Sequence, residues 1–300
     1  MRKWETRPVL HLALVLSLMA LVKYIAPLIA QDLTFLWWLA LIPALFSNPH
    51  WLLIHEAIHG LLFKSRTSNE FAGRLLCILI GSPLGILRAG HLLHHKFSRT
   101  ALDRTEVVDY KEKGAVLHSL GYYGWILGGL YFTEVLGSLV ALLPGGWVRA
   151  MSKNSSLGQR LVEMLLSSRS MKIIRLDAMA ALACFVAAFW FYGDYWYVLL
   201  TALLMRGLLI SMLDNVYHYS TPLDNPRYAL NLSAPAPMRW FLLNANYHGI
   251  HHENPRVPWD NLAEKYRNLP AERKETVPLG RQWLRQLKGP IPEEVLTARK

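Results

Sequence analysis

Residues 176–213 read LDAMAALACFVAAFWFYGDYWYVLLTALLMRGLLISML. Two apolar runs, 176–192 and 195–213, are separated only by Gly193 and Asp194. Each is about long enough to cross the hydrocarbon of a bilayer as a helix. Lipid offers no partner to backbone N–H and C=O groups, so a spanning segment satisfies them internally as a helix. The stretch therefore reads as a transmembrane helical hairpin. Residues 9–30 and 33–54 repeat the pattern around the polar turn AQDLT. Hydrophobic residues make up 53% of the chain and mean hydropathy is +0.20, high for a soluble domain. The start MRKWETRPVL runs into an apolar segment longer than a signal-peptide core, so no cleaved leader is expected.

Charge orients the hairpins. The turns at 31–34 and 193–194 carry no Lys or Arg, whereas the N-terminal arm and the longer connections carry nearly all of them. The positive-inside rule puts both termini and the histidine-rich segments in the cytosol. The net charge of +11 fits an anionic membrane surface, and nucleic acid is not an expected partner. The run 115–143 is harder to place. A single crossing there would put HEAIH (55–59) and NYHGIHH (246–252) on opposite sides. An interfacial or re-entrant helix gives four crossings and is preferred; a tight hairpin near Gly128 and Gly129 gives six. The expected fold is all-α: an integral membrane bundle of four transmembrane helices in two hairpins, plus interfacial helix or helices. A helical cytosolic cap comes from 64–113, 145–175 and 214–300, and 1–300 forms one domain. Trp37, Trp38 and the aromatic run Tyr195, Trp196, Tyr197 flank the short turns as an interfacial belt.

Eight of the twelve histidines fall in three clusters: His55 and His59; His91, His94 and His95; His248, His251 and His252. Spacings of three and four place side chains on one stripe of a helix. Composition alone gives an HxxxH by chance about half the time but each HxxHH only about 0.02 times, so the triplets carry the signal. Imidazole is the commonest metal ligand, and eight exceed the needs of one tetrahedral ion. They suit two metals. His218, just past the last apolar run, is a ninth candidate, and Asp214, one turn earlier, could ligate directly or through water. Spacing does not choose among zinc, copper, iron and nickel. His11, His50 and His118 fit no stripe and read as interfacial or packing residues. With only Cys77 and Cys184, no disulfide framework or zinc ribbon is expected.

These segments resemble the membrane fatty acid desaturase and hydroxylase superfamily. HEAIH, HLLHH and HGIHH look like its three histidine boxes, and HHENPRVPWDNL is similar to the end of the third box in bacterial lipid desaturases and carotenoid oxygenases. DNVYHYS looks like the additional ligand segment, where the family has Asn four residues before the ligand His; here that position is Asp214, beside Asn215. The resemblance covers about residues 30–265. It implies a non-haem centre of two Fe ions that activates O2 as cosubstrate to remove hydrogen from an unactivated C–H bond of a membrane lipid. Fatty acyl desaturation is the first expectation, because HxxHH in the second box looks more like desaturases than alkane hydroxylases. A lipid or carotenoid hydroxylase or ketolase, or a fatty acid decarboxylase, shares the boxes.

Ligand histidines usually give their second N–H to a carboxylate or carbonyl. Glu56, Asp103, Glu106, Asp109 and Glu253 are candidates, each equally readable as a solvated charge. Gly81, Pro83 and Gly85 could bend the 71–88 piece, but a loosely packed membrane helix is slightly preferred. Arg206, twelve residues after Asp194 and so roughly 18 Å along an apolar helix, is a functional candidate as an intramembrane charge. It could hold a lipid carboxylate or phosphate, or face Asp214; snorkelling is the alternative, and is the first reading for Lys23. The chain shows no haem segment, cysteine cluster or dinucleotide fingerprint, so an external electron donor is expected: ferredoxin, rubredoxin or cytochrome, drawn to the basic face. HEAIH also matches the H-E-x-x-H of intramembrane zinc proteases, which leaves seven other candidate histidines unexplained; a metal carrier or transporter is a third class, but it would want ligands near the bilayer midplane, whereas these lie at one face.

Overall fold

The structure is a computed structural model that describes residues 6–30, 39, 41–108, 114–166 and 171–297. The turn at 31–34, Trp37, Trp38 and Asp109 lie outside the described residues. Helices dominate: α1 (Thr6–Ala20), a π-turn and α2 (Ala26–Ala30), α3 (Ile42–Leu45), α4 (Ser47–Ile58), α5 (Arg66–Ile80) and α6 (Leu84–Phe97). Then come α7 (Ala115–Gly124), α8 (Leu130–Leu142), α9 (Gly145–Met151), α10 (Ser156–Leu166), α11 (Met171–Tyr192) and α12 (Trp196–Val216). Short helices α13 (Ala236–Phe241), α14 (His248–Glu253), α15 (Trp259–Arg267), α16 (Leu279–Arg285) and α17 (Glu293–Thr297) end the chain. The strands are two-residue pieces in parallel pairs, Val107–Val108 with Ile291–Pro292 and Leu232–Ser233 with Val277–Pro278. By length and composition, His11–Leu28, Ala115–Leu142 and Met171–Val216 can cross a membrane, and the bent pair α5–α6 passes the same test together.

The chain forms two compact units, Met1–Ala89 with Leu130–Ile210 and Gly90–Gly129 with Ser211–Lys300. In the first, α5 starts on Ser65, whose hydroxyl accepts from the Ser68 amide at 3.3 Å, and stops at Gly81 with φ +110°. Ser82 and Pro83 follow, and α6 leaves at 96°. The preferred reading of 71–88 as a loosely packed helix is thus corrected. A Cβ on Gly81 would lie 2.4 Å from the Phe185 ring, so the bend is tightly packed. A helix end in an apolar layer must also have its last carbonyls satisfied. Here His50 donates to Leu76 O (2.9 Å), Lys23 to Leu79 O (2.8 Å), Tyr131 to Ile80 O (2.9 Å) and Ser138 to Gly81 O (2.8 Å). Lys23 is therefore buried and bonded, contrary to the snorkelling expected of it. Arg74 forks onto Asp177, tying α5 to α11. In the run 115–143 the chain kinks at Leu127 and Gly128 (φ +132°). A 3-10 turn with Gly193 at φ +48° parts α11 from α12.

The second unit is held by polar side chains. Tyr122 donates to Gln286 O (2.7 Å), Asn215 to Gln286 Oε1 (2.8 Å), Gln282 to Tyr219 O (2.8 Å) and Tyr219 to Gly289 O (2.7 Å). These bonds clasp α16 against the end of α12, the segment that leads into His218.

Candidate metal centre

Both HxxHH motifs lie on helices, His91, His94 and His95 on α6 and His248, His251 and His252 on α14. A helix turns about 100° per residue, so the i+4 residue is offset about 40° one way and the i+3 residue about 60° the other. Each triplet can therefore serve two centres. In the second unit it does: His91, His95 and His251 converge, with His95 Nε2 3.0 Å from both His91 Nε2 and His251 Nε2. His94, His218, His248 and His252 form the other group, their donor atoms all within 4.8 Å of one another. The His94 and His218 Nε2 atoms are 3.1 Å apart. Each motif gives its i, i+4 pair to one group and its middle histidine to the other, and the two motifs do so in opposite senses.

Such a donor set fits a metal. Bonds of about 2.1 Å at right angles place neighbouring nitrogens about 3.0 Å apart, and a tetrahedral ion places them about 3.4 Å apart. The three contacts of 3.0–3.1 Å are of the size expected for nitrogens that share one ion. Ring orientation is fixed from outside. His94 Nδ1 donates to Asp103 Oδ2 at 2.6 Å and His252 Nδ1 to the Pro226 carbonyl at 3.1 Å, and His218 Nδ1 faces Ser98 Oγ at 3.5 Å. The first two contacts leave Nε2 of His94 and His252 as the lone-pair atom within the group. The Tyr217 ring stacks on His248 at 4.4 Å. Burial, then the neighbouring His252 and His94, push the His218 pKa well below its ordinary value, toward the neutral form that binds metal. Burial opposes charge on His94 and Asp103 too, but their mutual attraction prevails, raising the imidazole and lowering the carboxyl. Arg99, buried and paired with Glu106, donates to Thr221 O (2.8 Å) and Pro222 O (3.3 Å). It thus fixes the exit of α6 to the turn after His218.

In the first unit His55 and His59 sit at the end of α4, ring centroids 4.8 Å apart. Burial, then His55 and Arg88, push the His59 pKa down to about 2, so this ring too is neutral. Arg88 caps this end of α4, donating to Ala57 O (3.2 Å) and Ile58 O (3.3 Å), and is itself held by Glu70. Glu56 is buried with Oε1 3.7 Å from His55 Nδ1.

Other sequence candidates are placed differently. Asp214 belongs to neither converging group among the described residues. The Asn215 amide is turned to Gln286 and Tyr122. Glu253 is exposed and pairs with Arg273 at 2.5 Å. Arg206 reaches Met19 Sδ at 3.0 Å. Sequence reasoning missed Arg88, Arg99, Pro226 and Tyr217. Arg88, a lone charge three residues before His91 in an apolar run, was the one with a readable signal.

A sequence profile of the family described as fatty acid desaturase matches residues 32–283. Sphingolipid delta(4)-desaturase DES1 of Drosophila melanogaster is 23% identical over 279 residues, covering 90% of this chain and 77% of that protein. The DES1-like sphingolipid delta(4)-desaturase of Oryza sativa subsp. japonica is 24% identical over 233 residues (73% and 61%). The sphingolipid delta(4)-desaturase of Komagataella phaffii is 25% identical over 253 residues (78% and 61%). The chain thus spans less than two thirds of the length of the rice and yeast relatives. No solved structure matches it.

Proposed function

We propose, from the premise that the chain belongs to the fatty acid desaturase family, that it removes two hydrogens from adjacent carbons of a membrane lipid's alkyl chain using O2. Membership makes it an oxidoreductase acting in lipid metabolism, and sets aside the zinc protease reading of HEAIH. The observation that carries the reading is the sorting of seven histidines of one unit into two converging groups. His94, His218, His248 and His252 hold one iron in this proposal. His91, His95 and His251 are three ligands of the second, and His55 and His59 are candidate ligands carried by the first unit. Bound iron supplies the one-electron chemistry with O2 that an unactivated C–H bond requires. The chain's own residues orient and insulate. Asp103 and the Pro226 carbonyl fix which nitrogen of His94 and His252 faces the metal. The burial of His218, His248 and His252 keeps bulk water from the His94 group.

The first-choice substrate is an acyl lipid, and the names of the relatives extend that to a sphingolipid. The proposed topology has four crossings, in α1–α2, the 33–54 segment, α11 and α12. Residues 171–216, about 69 Å long if helical throughout, exceed twice the hydrocarbon thickness and break at Gly193, which suits two of these crossings. The termini and the histidine groups then face the cytosol, where an external ferredoxin, rubredoxin or cytochrome delivers electrons. Expression in a host of defined lipid composition, read by mass spectrometry, tests the reading. A loss of about two mass units in an alkyl chain, abolished by His94→Ala, supports it. A gain of about sixteen would instead identify a hydroxylase, and no change would refute both.

A further inference from the structure

The first unit holds a second polar cluster that the metal chemistry does not use. Lys23 and Arg206 are 3% and 4% exposed, both buried in the first unit. Lys23 Nζ donates to Leu79 O and lies 5.0 Å from the Phe185 ring. Among the described residues Arg206 meets the Met19 thioether and the Tyr131 hydroxyl, and its Nε and Nη1 find no hydrogen-bond partner. The two cations act on each other as like charges, and both act on His50. Among the described carboxylates of this unit, Asp177 pairs with Arg74 and Glu70 with Arg88, while Glu134 acts on Tyr131.

A guanidinium is always charged, and an isolated charge in an apolar medium is costly. Among the described residues neither Lys23 nor Arg206 makes an ion pair, so an anion beside them would offset the buried guanidinium charge. The donors left over suit a small one: two Arg206 nitrogens and the remaining hydrogens of Lys23 match the two oxygens of a carboxylate and are few for a phosphate. The surrounding Met19 and Phe185 side chains suit an alkyl chain. We infer that Lys23 and Arg206 form a buried site for the carboxylate of a single-chain fatty acid, held inside the membrane-embedded unit. The inference rests on the reading of this unit as lipid-embedded and requires no metal.

The test is thermal unfolding of the purified full chain in non-ionic detergent, titrated with palmitate, methyl palmitate or acetate. Palmitate is expected to raise Tm saturably, by mass action on the folded state. Methyl palmitate, which lacks the charge, and acetate, which lacks the chain, are expected to do much less at equal concentration. Arg206→Met should abolish the palmitate shift, whereas Arg206→Lys should retain part of it. Lys23→Met is a second variant with the same expectation should Arg206→Met not fold. An equal response to palmitate and its methyl ester, or a full shift in Arg206→Met, would overturn the carboxylate site. An equal response to acetate would overturn the fatty acid assignment. Iron content, measured on the same samples, separates failure of this site from failure of the metal centre.

Discussion

Replacing Asp103 by Asn probes how the protein prepares a histidine for metal. The carboxylate accepts from His94 Nδ1 at 2.6 Å, the two side chains being 21% and 22% exposed, so solvent screening is limited. A hydrogen bond to a charged group contributes about 1.5–3 kcal/mol. Asn keeps the shape but loses the charge. Its amide can also turn its NH2 toward Nδ1, moving the ring proton to Nε2 and blocking coordination. Taking about 2 kcal/mol at 1.4 kcal/mol per decade predicts roughly a 30-fold loss of affinity at the His94 group. That lies within the 10–100-fold typical of residues that orient a metal ligand. The assay is iron retained by purified protein against a graded chelator, read by elemental mass spectrometry. One class of iron should leave at roughly 30-fold lower chelator, the other unchanged. The backbone bonds of Asp103 to Arg99 (2.9 Å) and Thr100 (3.0 Å) persist, so the iron-free variant should stay folded, with a lower Tm from the lost carboxylate–imidazole bond. Unchanged iron retention would refute the orienting role of Asp103.

Other perturbations separate the remaining parts of the account. His218→Ala removes a nitrogen from the His94 group alone, so iron should fall toward about one per chain while the other group stays loaded; loss of all iron would argue for a single shared site. Gly81→Ala forces a Cβ into the Phe185 ring at φ +110° and should cost about 1–3 kcal/mol from backbone strain before the clash is counted, read as a lower Tm. An unchanged Tm would mean that the bend is not rigid.

The histidine spacing carried most of the site, because helical geometry converts i, i+3 and i+4 directly into a stripe. The division of each triplet between two groups was not legible. It depends on which neighbour faces each side of the stripe, and His251 meets His95 only through the fold. The apolar runs were legible because lipid demands length and composition. The bend at Gly81 was offered but not preferred, since its rigidity comes from Phe185, more than a hundred residues away. Lys23 was misread because local sequence shows an alkyl stem near a helix end, not the Leu79 carbonyl that it reaches. Asn215 reads as a metal-side residue from its neighbours, yet its amide serves Gln286, in a C-terminal helix with no periodic signal linking it to α12.

The central claim is most directly tested by metal analysis with 57Fe Mössbauer spectroscopy on the purified, anaerobically loaded chain. The account predicts about two irons per chain in nitrogen-rich, five- or six-coordinate sites. A chain that instead holds a single tetrahedral zinc, and takes up no iron, would contradict it.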